Sequence, residues 1–167
     1  MSLLNKVFGA YNGHRVGLSQ TEAIAAIAVS AIAADGYLLD QETERVIVLL
    51  SEMEIFKGYS QKQITNLLDK LLNSLSEKGI NNLVAIANNS LHPDYKETAF
   101  TLATDIILVD GVLSSKEQAF LTRLCQVLEV STEKAATIFQ AKSEIHQLSK
   151  KKYRKYRNNQ NNQNNQK

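Results

Sequence analysis

The chain contains one stretch twice. Set above Glu97 to Val130 at a constant offset of 75, Glu22 to Ile55 gives 9 identities in 34 positions. They are Glu22/Glu97, Ala28/Ala103, Ile32/Ile107, Asp35/Asp110, Gly36/Gly111, Leu38/Leu113, Glu42/Glu117, Leu49/Leu124 and Glu54/Glu129. These residues frame one unit: an apolar run, an Asp-Gly turn, a leucine two residues after the glycine, and a glutamate seven after the aspartate. A duplicated unit restricts the fold to two like pieces, here helical hairpins packed about a pseudo-two-fold axis. It specifies no reaction.

Hydrophobic spacing makes the pieces helical. Leu3, Leu4, Val7, Phe8 and Tyr11 recur at three- and four-residue intervals and predict a short amphipathic helix, followed by a loop over 12–19. A helix from Gln20 to Ala34 stops at Asp35-Gly36, where glycine can take the positive φ of a C-terminal cap. Asp40 is the expected N-cap of the next helix, which continues to Phe56. Ser60 with Gln63 reads as a capping box for a helix ending near Asn73. Ile80, Leu83, Val84 and Ala87 mark another. Pro93 sits where a first helical residue tolerates it, ahead of a helix ending at Asp110-Gly111. Ser115 with Gln118 opens its partner, and Ser131 caps a last helix through Ala141. No alternating strand pattern occurs, so the expectation is an all-α bundle of seven or eight helices. Ile27, Ile32, Leu49, Leu102, Ile107 and Leu124 are its expected core, with Leu38 and Leu113 at equivalent buried points.

The charge divides the chain in two. Residues 1–149 carry 12 Lys and Arg against 17 Asp and Glu, net −5, whereas 150–167 carry 7 basic residues and no acid. A single helical domain over 1–149, large enough for a core of its own, is therefore expected to bear a basic tail. Its Asn/Gln-rich end has nothing to bury and is expected to be disordered. Cys125 is the lone cysteine and aligns with Leu50, so it reads as a small buried hydrophobe in a reducing compartment. The longest apolar stretch, Ala23 to Ala34, is too short to cross a bilayer, and no signal peptide is evident. A cytoplasmic protein, at most peripheral to a membrane, is expected.

Acids at the repeated turns are the candidate chemistry. Asp35 to Glu42 and Asp110 to Glu117 each match the later half of an EF-hand loop. Its first and third ligand positions, however, would fall on Ala31 and Ala33, and on Ile106 and Leu108, which offer no side-chain oxygen. An EF-hand is excluded. Asp35 and Asp110 still place carboxylates at helix C-termini, where the dipole disfavours them. Two accounts stand: an Asx-type bond to a nearby amide, or a cation held between Asp and Glu, with the pseudo-symmetry as a means of bringing both pairs together. For the second, oxygen donors favour calcium, magnesium or manganese. Asp105, about a turn and a half before Asp110, is a candidate extension of that cluster.

The doubled pattern, Ala33-Ala34-Asp35-Gly36-Tyr37-Leu38 closing at Glu42 and Leu108-Val109-Asp110-Gly111-Val112-Leu113 closing at Glu117, resembles the TerB-like tellurite-resistance family over residues 20–141. It is similar in kind to the N-terminal domain of the membrane-bound co-chaperone DjlA. The resemblance implies a compact all-α domain acting through protein partners in bacterial stress and metal-resistance systems. It places the family's acidic positions on Asp35, Glu42, Asp110 and Glu117. Val109 departs from the alanine that precedes the first Asp-Gly.

Catalysis finds little support. His14, His92 and His146 share no metal-ligand spacing with one another or with Cys125 and read as surface or capping residues. No phosphate-binding loop, dinucleotide motif or nucleophile elbow occurs. Lys150 to Arg157 sets Tyr153 and Tyr156 among six basic residues. That run is either a solvated tail or a surface for nucleic acid or an anionic membrane. Two functions remain: a non-enzymatic interaction module with a candidate divalent site, and a peripheral adaptor working through its tail. Deleting residues 150–167 would separate them.

Overall fold

In the computed structural model, residues 17–36 and 40–164 are described, with side chains through 160. The helix expected over Leu3–Tyr11, together with His14 and Leu38, lies outside the described residues. Among the described residues seven α-helices form, with short 3-10 turns between some of them and no strand. They are α1 Gln20–Ile32, α2 Asp40–Glu52, α3 Gln61–Lys78, α4 Ile80–Ser90, α5 Pro93–Leu108, α6 Ser115–Val127 and α7 Thr132–Asn164.

Helix α1 is the centre. Its alanines, isoleucines and valine are buried on every side, as expected of a helix with no polar face. It packs on α3, α4, α5 and, through fewer residues, α2. Small side chains let those neighbours approach closely, and the fully buried hydroxyl of Ser30 donates to the Ala26 carbonyl at 2.8 Å. The helix begins at a capping box. Ser19 Oγ accepts from the Glu22 N–H while Glu22 accepts from the Ser19 N–H at 2.8 Å.

The repeat is visible in the backbone. α2 and α6 have 13 residues each and occupy equivalent positions at the offset of 75. Gly36 has φ 91° and Gly111 φ 73°, a left-handed conformation that glycine adopts without a Cβ penalty. In both turns the glycine N–H donates to an equivalent carbonyl, Ala33 or Leu108, at 3.0 Å. Paired core positions agree as well: Ile27/Leu102, Ala28/Ala103, Ile32/Ile107 and Val46/Leu121 are all buried. Of the six expected core residues, five are buried; Leu49 is half-buried, as are Leu113 and Cys125.

Several boundaries differ from expectation, for local reasons. α3 runs past Asn73 because Leu71 and Leu75 continue its buried stripe, and Gly79 at φ 80° stops it. Asp40 is the first helical residue of α2 rather than its cap. α6 is capped by Ser114, which places Glu117 at the third helical position and completes a capping box; the Ser115–Gln118 register is not used. The Ser60–Gln63 box and Pro93 at a helix start are as expected. α7 does not end at Ala141. No glycine or proline follows to break it, and lysine, arginine and glutamine favour helix. It therefore carries the basic run and, against the expectation of disorder, the Asn/Gln segment as far as Asn164. The division expected at residue 149 falls within this continuous helix.

Candidate functional site

Three of the four repeated acids come together. Glu42 from the first turn of α2, Asp110 from the turn after α5 and Glu117 from the first turn of α6 line one interhelical pocket of about 30 Å³. Ala31, Ile32, Val46, Leu49 and Ile107 form its apolar walls. Asp35 lies in the other Asp-Gly turn and does not line it. The pocket therefore joins Glu42 of one copy to Asp110 and Glu117 of the other, rather than closing on each Asp–Glu pair of a single copy.

Local structure explains each position. Glu117 sits in the first helical turn, where the dipole favours an acid, and one carboxylate oxygen accepts from the Ser114 N–H at 2.8 Å. Asp110 lies at the carbonyl end of α5, where a carboxylate is disfavoured. What offsets it comes from elsewhere in the fold. The Arg45 guanidinium of α2 stands 3.6 Å from the Asp110 carboxylate, and the Lys150 ammonium of α7 donates to the Asp110 carbonyl. Both groups are well exposed, so the Arg45 pair contributes at most about 1 kcal/mol. The first turn also has a basic neighbour from the other hairpin. The Lys116 ammonium of α6 lies 3.9 Å from the point where a Cβ on Gly36 would stand.

Arg45 has no counterpart in the second copy, where Phe120 occupies the aligned position. The pocket is therefore asymmetric, with one guanidinium already at its mouth. Sequence reasoning missed Arg45, since a surface arginine in an amphipathic helix carries no motif. Its only signal was the charge difference from Phe120 across the repeat.

Asp105 does not extend the acidic pocket. It is half-buried and serves α7 instead, accepting from Lys142 Nζ at 2.7 Å and lying 3.2 Å from His146 Nε2. His146, expected to be a surface residue, is thus part of the α5–α7 contact. His92 caps α5, its Nδ1 accepting from the Asp94 N–H. Cys125 donates its thiol to the Val130 carbonyl at 3.0 Å. Among the described residues no group of three His, Cys, Asp or Glu side chains is arranged to hold a metal ion. None of the described helices is long and apolar enough to cross a membrane.

No curated protein and no solved structure matches the chain. A family model described as tellurite resistance protein TerB matches residues 21–140, the interval that holds both hairpins and the pocket between them. That match covers more than two thirds of the 167 residues, and the chain belongs to the TerB family.

Proposed function

We propose that the chain is a non-enzymatic interaction module of stress and tellurite-resistance systems, whose interhelical pocket takes up a hard divalent cation weakly. The observation that carries this reading is the meeting of Glu42, Asp110 and Glu117 from two repeats in one pocket. Carboxylate oxygens suit calcium, magnesium or manganese. A space of about 30 Å³ has room for one water-sized occupant.

The same geometry argues for weakness. One Glu117 oxygen is already bonded to the Ser114 amide, and the carboxylates do not converge as a complete ligand set. Water would fill most of the coordination shell. The Arg45 guanidinium stands beside Asp110 and competes with any incoming cation. Uptake and release of an ion would then exchange with a side-chain cation, changing the charge at the mouth of the pocket while the helices stay in place. That is chemistry suited to modulating a protein contact.

Calorimetric titration with magnesium, calcium and manganese tests the reading on the wild type, Asp110→Asn and Arg45→Gln. The wild type should bind at roughly millimolar concentration, the weak end of oxygen-ligand sites. Asp110→Asn should lose the binding, and Arg45→Gln should bind more tightly because the competing charge is gone. If no variant takes up any of the three ions at millimolar concentration, the acids are turn and cap groups only and the cation reading fails.

A further inference from the structure

The far half of α7 carries a surface that neither the repeat nor the pocket uses. From Ile145 to Arg157 it holds six Lys and Arg and no acid, Glu144 being the last acid of the chain. In the same stretch four large apolar or aromatic side chains are exposed: Ile145 by 53%, Leu148 by 65%, Tyr153 by 70% and Tyr156 by 63%.

Their spacing gives the charge a direction. Ile145, Leu148, Lys152 and Tyr156 succeed one another at three- and four-residue steps, so at 3.6 residues per turn they form one stripe. The face beside it, Lys142, His146 and Lys150, is turned to α5, where it meets Asp105 and the Asp110 carbonyl. The apolar stripe therefore runs along the solvent side of a helix already fixed to the bundle. Lys151 and Lys155 flank it on the side away from α5. Lys152 lies within the stripe, where its methylene stem can follow the apolar surface while the ammonium reaches the polar layer.

A helix with an aliphatic stripe bordered by cations and free of acids matches an anionic bilayer surface, into which such helices settle parallel to the plane. Nucleic acid would engage the cations through phosphates and the tyrosines through stacking, and would leave Ile145 and Leu148 in water. A lipid interface uses all three kinds of side chain. We infer that residues 145–157 of α7 form a docking face for an anionic lipid bilayer. Ile145, Leu148 and Tyr156 enter the boundary of the acyl region, and Lys151, Lys152 and Lys155 lie among the head groups. This face is separate from the acidic pocket, so the inference stands or falls independently of the cation reading.

Co-sedimentation of the full chain with vesicles tests it. The vesicles are equal parts phosphatidylglycerol and phosphatidylcholine, or phosphatidylcholine alone. The variants are Ile145→Gln/Leu148→Gln, which leaves every charge in place, and Lys151→Gln/Lys155→Gln. All four side chains are exposed and glutamine keeps helix propensity, so circular dichroism should be unchanged. The wild type should pellet with the anionic vesicles only, less so at high salt. Each double variant should partition about tenfold more weakly or worse. A single-stranded oligonucleotide at matched phosphate concentration should not displace the protein. The inference is overturned if the wild type fails to pellet with anionic vesicles, if Ile145→Gln/Leu148→Gln pellets as the wild type does, or if the oligonucleotide strips the protein from the lipid.

Discussion

Leu49 and Leu124 occupy the same place in the two repeats, yet the fold treats them differently, and this predicts unequal costs for the same substitution. Leu124 is 1% exposed and belongs to the dry core. Leu49 is half-buried and lines the acidic pocket. Leu124→Ala removes three carbons from a site with no access to water, so the lost transfer energy and the new cavity add to about 3–5 kcal/mol. Leu49→Ala widens a pocket that already opens outward. Water fills the space, the cavity contribution largely vanishes, and the remaining transfer loss is about 1–2 kcal/mol. For a chain of this size that corresponds to Tm falling by about 10 °C for Leu124→Ala and about 4 °C for Leu49→Ala. Urea denaturation of both variants beside the wild type, with the slope m held constant as a check on two-state behaviour, measures the difference directly. Equal losses, or a larger loss at Leu49, would refute the assignment of the two sites to different environments.

Two further outcomes follow from the caps. Ser114→Ala removes the acceptor for the Glu117 N–H and loosens the start of α6, and denaturant melts should show a loss of about 1 kcal/mol. Glu22 is held below the ordinary glutamate value of 4.5, first by the Ser19 N–H it accepts and then by Lys70 at 3.3 Å, against the opposing effect of burial. Its folded value is depressed, so its contribution is fully present above that ordinary value and fades as pH falls through the folded value. Glu22→Gln should therefore show a flatter stability curve than the wild type in the acid range, measured by melts across a pH series.

The repeat made the architecture legible because its identities fall where physics leaves little choice. Gly36 and Gly111 must take a positive φ, and the apolar pairs must face inward. The cap at Ser60 with Gln63 was legible, whereas the Ser19–Glu22 box that opens α1 was not read from the sequence. At Ser114-Ser115 two adjacent serines offered two registers, and only the packed helix selects between them. The end of α7 was illegible because helix there depends on the absence of a stop signal, which composition alone reads as disorder. The pocket was half legible. Acids at a fixed spacing revealed the carboxylates, and the pseudo-symmetry offered a way for the two pairs to meet, but nothing local showed that Asp35 stays outside while Glu42 joins Asp110 and Glu117. Arg45, Lys142, His146 and Lys150 act at sequence separations of 37 or more, and no local pattern announces such partners.

Because α7 is one unbroken helix, its two ends are mechanically a single body. The near end is clamped to α5 by Asp105, Lys142 and His146, and a second clamp joins Lys150 to the turn that bears Asp110. Beyond Lys150 the rod extends through 14 more residues to Asn164, roughly 20 Å at 1.5 Å per residue. A flexible tether of the same length would let its cargo roam a sphere about the domain. A rod allows one bearing and one distance. Whatever grips the far end therefore dictates which way the mouth of the acidic pocket points, so the arm acts as a gauge of orientation as much as an attachment.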